Sequence, residues 1–287
     1  MQSNNPVFSR AEGFNGQHAH GHANQTYVGN DPAQWNIAQG GYAGQGGQGE
    51  YGYAAPPVAQ RPMTIDSVVQ KTGISLGVVI VTAVITWIMT PAIDSTSALN
   101  SIYLAAMVGA GAAFILSMVN SFKRVISPAL VLAFCAAEGI ALGALSKMFD
   151  AQFGDGIVTN AVMGTFAAFA GTLAAYKFLN IKVGDKFRVF VVAAMFGMVG
   201  LGLLEMVLRM FGAGMGLFGF GTLGMITAVV GLVLGIFMLI LDFDFVEQGI
   251  AAGLEERESW RAAFAMTVSL VWIYTNLLRL LAIFSQD

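Results

Sequence analysis

The chain has 287 residues, 56% of them hydrophobic and only 11% charged, with a formal net charge of −3. A soluble domain carries about 25% charged residues and a nucleic-acid binder presents a basic surface, so both classes are excluded. What remains is a polytopic helical membrane protein, because the apolar residues lie in long blocks and about 20 of them let a helix cross the hydrocarbon core.

Residues 1–60 are rich in Gly, Gln, Asn and Tyr, as in Gln39 through Gly47. So few apolar side chains do not offset the entropy of ordering, and a disordered cytoplasmic tail is expected. No basic start followed by an apolar core is present, so the tail does not read as a cleaved signal peptide. His18, His20 and His22 alternate along it; they form a weak metal pattern and are more simply solvated polar residues. Tyr27, Tyr42, Tyr51 and Tyr53 allow weak self-association.

Arg61-Pro62 ends the tail, and 61–287 is the expected transmembrane domain. Thr64 can cap a helix starting at Ile65, with Asp66 in its first turn complementing the helix dipole. This start should lie at the membrane interface and run into the first span. Seven spans are expected: 73–93, 98–119, 128–148, 157–179, 187–208, 220–243 and 261–284.

Orientation follows from the excess of Lys and Arg in cytoplasmic loops. With the N-terminus inside, eleven basic residues fall on the inner side: Arg10, Arg61, Lys71, Lys123, Arg124, Lys177, Lys182, Lys186, Arg188, Arg257 and Arg261. Lys147, Arg209 and Arg279 fall outside, so the C-terminus is expected outside. Gly164, Gly171, Gly197, Gly200, Gly224, Gly231 and Gly235 are candidate points of close helix approach. Gly231-x-x-x-Gly235 is read as internal packing in preference to dimerisation.

The polar residues within or beside the spans are few. Cys135 reads as a small buried apolar residue. Glu138, near the middle of span three, must face the protein interior or water. Glu205 and Arg209, four apart, can pair along one helix face. Asp242 and Asp244 stand at the end of span six, and a carboxylate at the bilayer centre costs roughly 2.5–3.5 kcal/mol on insertion scales. Two residues apart on a helix, they point about 200° from one another. One is therefore expected to face the bundle and the other cytoplasmic water. Asp244 is the expected inward one, with Gln248 one turn on along the same side. Ser269, Asn276 and Arg279 are structural polar residues of span seven; Asn276 and Arg279 share a face.

These residues together resemble the transmembrane Bax inhibitor motif family, in particular its bacterial members with long polar N-terminal tails. The carriers are Ser127-Pro128, Glu138 through Gly143, Ile157-Val158 to Gly164-Thr165-Phe166, and Leu173 through Tyr176. Phe243-Asp244 and Leu277-Leu278-Arg279-Leu280-Leu281 complete them, over about residues 62–284. The resemblance implies an all-α fold in which six helices surround a central seventh. It also implies a pH-sensitive calcium leak gated near the cytoplasmic face by an aspartate of span six paired with one of span seven. Asp244 matches the first position. The second falls at or near Ser269, and span seven has no acid between Arg261 and Phe284.

The expected function is thus a calcium (cation) leak channel or ion-homeostasis protein in the bacterial inner membrane, with Asp244, Asp242 and Glu138 on the ion path or sensing pH. The competing class is a non-transporting regulator that binds other membrane proteins, such as a protease in a stress response. Coupled transport would call for inverted repeats and broken helices, and no pair of interrupted spans is evident. No catalytic residues, metal set or cofactor are expected; calcium enters only as a permeant or regulatory ion. The expected partners are the lipid bilayer and a membrane protein, and no nucleic acid.

Overall fold

The structure, a computed structural model, describes residues 61–286 except 155 and 180. The expectations for the tail, including His18, His20 and His22, lie outside the described residues. Seven helices follow in chain order: α1 (Ile65–Met89), α2 (Thr96–Phe122), α3 (Pro128–Phe153), α4 (Ile157–Phe178), α5 (Asp185–Met210), α6 (Thr222–Ala251) and α7 (Ser259–Phe284). Each is long and apolar enough to cross a membrane, and the protein is a multi-pass integral membrane protein. Among the described residues the one extended pairing is an isolated antiparallel bridge between Pro62 and Glu255.

Local chemistry sets several helix ends. Thr64 Oγ1 accepts from the Ser67 N–H and Ser67 Oγ accepts from the Thr64 N–H, both at 3.1 Å, closing a capping box on α1. Such caps contribute about 1 kcal/mol. The interfacial start and the first span are thus one unbroken helix. It stops at Met89, short of the expected 93, because Pro91 holds Thr90 extended, at φ −78° and ψ 141°. Pro128 opens α3 at a position where its missing N–H costs nothing.

The largest departure is at α6. It continues through both aspartates to Ala251, two turns past the expected end, and both carboxylates meet side chains of other helices. Gly253 then turns the chain at φ +67°, a conformation open mainly to glycine.

The helix at the centre is α7. It packs against α1, α3, α4 and α6, while α2 packs chiefly on α3 and α5 on α6. No residue of α7 from 259 to 283 is exposed. Helices in lipid gain little from apolar burial alone, so their contacts rest on small residues that let backbones approach. Gly231 sits against Asn276, Gly235 against Trp272 and Ile273, and Gly164 against Leu277. The Gly231/Gly235 pair is therefore an internal seat for α7, as its spacing suggested.

Gly171, Gly197 and Gly200 are different. They are exposed, with open space around them, so they face outward and seat no helix. Gly224 meets only the nearby Gly219 carbonyl. Seats not foreseen lie at Gly109 against Ala137 and Ala141, and at Gly139 and Gly143 against α1.

Polar contacts close one end of the bundle. Met63 N–H donates to the Leu254 carbonyl and Glu256 N–H to the Arg61 carbonyl, each at 2.7 Å. Ser67 and Ser259 hydroxyls meet at 2.7 Å, and Lys71 Nζ bonds the Glu256 carbonyl at 2.8 Å. Arg257 Nε donates to the Ile126 carbonyl at 2.9 Å and Arg261 Nη2 to the Arg124 carbonyl at 2.8 Å. The α6–α7 connection thereby clasps both the start of α1 and the α2–α3 loop.

Candidate functional site

Both span-six aspartates are buried, Asp242 at 6% and Asp244 at 8% exposure. The expectation that one of them faces water is corrected. The helical period does turn them apart, but a neighbouring helix stands on each side.

Asp242 is the one directed at the central helix. Its Oδ2 accepts a hydrogen bond from Ser269 Oγ of α7 at 2.6 Å, a short bond of the kind made to a carboxylate. Ser269 is itself fully buried. The position where the resemblance implies a second acid thus does face an aspartate of α6, but that aspartate is Asp242 and not Asp244.

Asp244 faces α5. Arg188 Nη2 reaches its Oδ2 at 2.7 Å, with both side chains largely buried. Gln248 Nε2 donates to the same oxygen, also at 2.7 Å, so Gln248 lies on the side expected of it. One turn over, Tyr176 of α4 donates to Glu247 Oε2 at 2.6 Å, and its ring lies against Phe243. Four helices therefore converge at this level. Here α6 supplies three carboxylates, α7 a hydroxyl, α5 a guanidinium and α4 a phenol.

The pair lies well before the end of α6, where an unpaired buried charge is costly. Arg188 compensates Asp244, and Ser269 is the donor facing Asp242.

Glu138 is half-buried on α3, one turn from Phe134, whose ring meets Phe264 of α7 at 5.0 Å. Among the described residues it makes no hydrogen bond or ion pair, and none joins it to either aspartate. The structure therefore places it apart from the acid pair, with α7 between α3 and α6.

The remaining polar residues of α7 are structural braces. Asn276 Nδ2 bonds the Trp272 carbonyl at 2.8 Å, and Trp272 Nε1 bonds the Gly231 carbonyl of α6 at 2.8 Å. Arg279 Nη2 donates to Thr227 Oγ1 at 3.1 Å and lies over the Phe218 ring at 5.1 Å. It also reaches Asn276 Oδ1 at 3.5 Å. At the same end Glu205 takes Arg209 at 2.9 Å and the N–H groups of Met215 and Gly216 at 3.0 Å, anchoring the α5–α6 loop. Cys135 is wholly buried.

Sequence reasoning passed over Arg188, Tyr176 and Glu247 as members of this site. Arg188 stands at the very start of expected span five, beside the basic residues of the preceding connection, and nothing in its local sequence distinguishes it from Lys182 or Lys186. Only the packing of α5 on α6 does so. Among the described residues no group of three or more His, Cys, Asp or Glu converges in a way that could hold a metal ion.

A family model described as Bax inhibitor 1 like matches residues 5–286. No curated protein matches the chain.

Proposed function

The chain belongs to the Bax inhibitor 1-like family, and from that premise we propose that it is a pH-sensitive calcium (cation) leak channel gated at the Asp242–Asp244 level of α6. The observation that carries this reading is the burial of two carboxylates inside a membrane-spanning helix, where ionisable groups mark ion or proton pathways. Arg188 holds Asp244 in the closed arrangement. Loss of that pair frees the first turns of α5, the helix whose main neighbour is α6, and the widened gap between α5 and α6 exposes oxygen ligands suited to a hard divalent cation.

Ten basic residues of the described chain cluster at the gate end, against three at the other, which supports a cytoplasmic gate, an N-terminus inside and a C-terminus outside. The bacterial inner membrane is the membrane this reading assigns. The protein acts without a resident cofactor and is not an enzyme.

A second reading is favoured by a specific observation: Asp242, Asp244 and Glu247 all have internal partners. Such a set also suits a static brace in a non-transporting regulator of other membrane proteins. Reconstitution of the full chain in liposomes loaded with a calcium dye separates the two. The channel reading expects flux that changes with pH, with Asp244→Asn leaking at every pH. Absence of flux at all pH values in wild type and Asp244→Asn alike would leave the brace.

A further inference from the structure

A second feature lies on the opposite half of the bundle. A cavity of about 460 Å³ runs between α1 and α4, floored by α3 and α7. Its walls are apolar: Leu76, Ile80 and Val84 from α1, Val158 and Val162 from α4. Ile80, Val84 and Phe166 line it and are nevertheless 47%, 51% and 47% exposed, so it opens sideways, at membrane depth, toward lipid.

Its few deep polar atoms are already satisfied. Ser146 Oγ and Tyr274 Oη bond each other at 2.6 Å, and Thr165 Oγ1 bonds the Ala161 carbonyl at 2.7 Å. The floor thus asks for an apolar occupant and offers nothing to a polar one. Polarity appears at one end only, where Trp87, Asp150 and Thr159 line the rim. These residues stand near the C-termini of α1 and α3 and the N-terminus of α4, the level at which an interfacial tryptophan sits.

Length identifies the occupant. From Leu76 to Trp87 the α1 wall rises about 16 Å at 1.5 Å per residue, roughly half of the ~30 Å hydrocarbon core. The groove therefore runs from one interface to the bilayer midplane, the reach of a single acyl chain of one leaflet. That reach is about half of what a membrane-spanning helix needs.

We infer that this groove binds one acyl chain of a membrane phospholipid, drawn from the leaflet on the Trp87–Asp150 side, with the lipid's polar end at that rim. The chain completes the apolar packing that α1 and α4 leave open over α7.

The test is native mass spectrometry of the full chain released from nanodiscs of mixed phosphatidylethanolamine and phosphatidylglycerol. Wild type is expected to retain one phospholipid after the loosely bound ones are stripped. Val84→Trp and Val162→Trp, which fill the groove from opposite walls, should each lower that occupancy at least five-fold. Leu104→Trp, on the exposed face of α2, should keep it. Equal occupancy in all four proteins, no retained lipid in wild type, or a co-released polypeptide in its place would overturn the inference. Should a wall variant fail to fold, a brominated-acyl phospholipid replaces it. In a chain whose sole tryptophan is Trp87, quenching should saturate at a few mole per cent of that lipid. Quenching merely proportional to its fraction in the bilayer would overturn the site.

Discussion

Arg188 and Asp244 close an ion pair at 2.7 Å that ties the first turn of α5 to the interior of α6. It joins two transmembrane helices, whereas Glu205–Arg209 and Glu258–Arg261 are local in sequence and Lys71 pairs with the α6–α7 connection. Because α5 has α6 as its main neighbour, this pair has unusual leverage over where α5 stands.

Removing the cation while keeping the carboxylate should release α5. Arg188→Gln is expected to raise calcium flux several-fold at neutral pH and to flatten its pH dependence. Breaking a buried pair from one side costs about 3–5 kcal/mol, so a lower thermal midpoint should accompany the leak. Flux and pH profile indistinguishable from wild type would remove Arg188 from the gate.

The same pair can be broken from the other side. Asp244→Asn leaves Arg188 without its carboxylate and should therefore leak under conditions where wild type is closed. A variant that is closed at every pH would reverse the assignment.

Ser269 is the hydroxyl that meets Asp242. Ser269→Ala leaves a buried carboxyl without that donor and should destabilise the protein by about 1–3 kcal/mol, read as a lower midpoint in detergent. Ser269→Asp places a second carboxyl against the first. Two such groups titrate as a coupled pair, so flux should acquire a steeper pH dependence. An unaltered profile in Ser269→Asp would show that Asp242 takes no part in gating.

Close packing of α6 on α7 predicts a contrast between glycines. Gly235→Ala brings a methyl to 2.6 Å from Ile273 Cγ1, and overpacking of this kind costs typically 1–3 kcal/mol. Gly197→Ala meets open space and should be neutral or slightly stabilising through helix propensity. Equal midpoints for the two variants would contradict the packing described.

Much of this was legible in the chain itself. Seven apolar blocks were enough for seven helices, because a backbone in hydrocarbon must satisfy its own hydrogen bonds and an α-helix does so within one segment. Thr64 and Pro128 marked helix starts through chemistry confined to one turn. The ends of α1 and α6 were less legible. Pro91 outweighed the apolar residues around it, and two aspartates that read as a helix terminus proved to be interior once other helices supplied their donors.

What the sequence determined by itself was therefore the membrane class, the number of helices, the placement of basic residues and the fact that Asp242 and Asp244 diverge. What only the tertiary structure decided was the neighbour each one meets: Ser269 of α7 for Asp242, Arg188 of α5 for Asp244. The helical period follows from local backbone geometry, so any reader of the chain can compute a 200° separation. Which helix stands on either side depends on contacts between segments 27 and 56 residues apart, set by glycine seats and side-chain shape along whole helices.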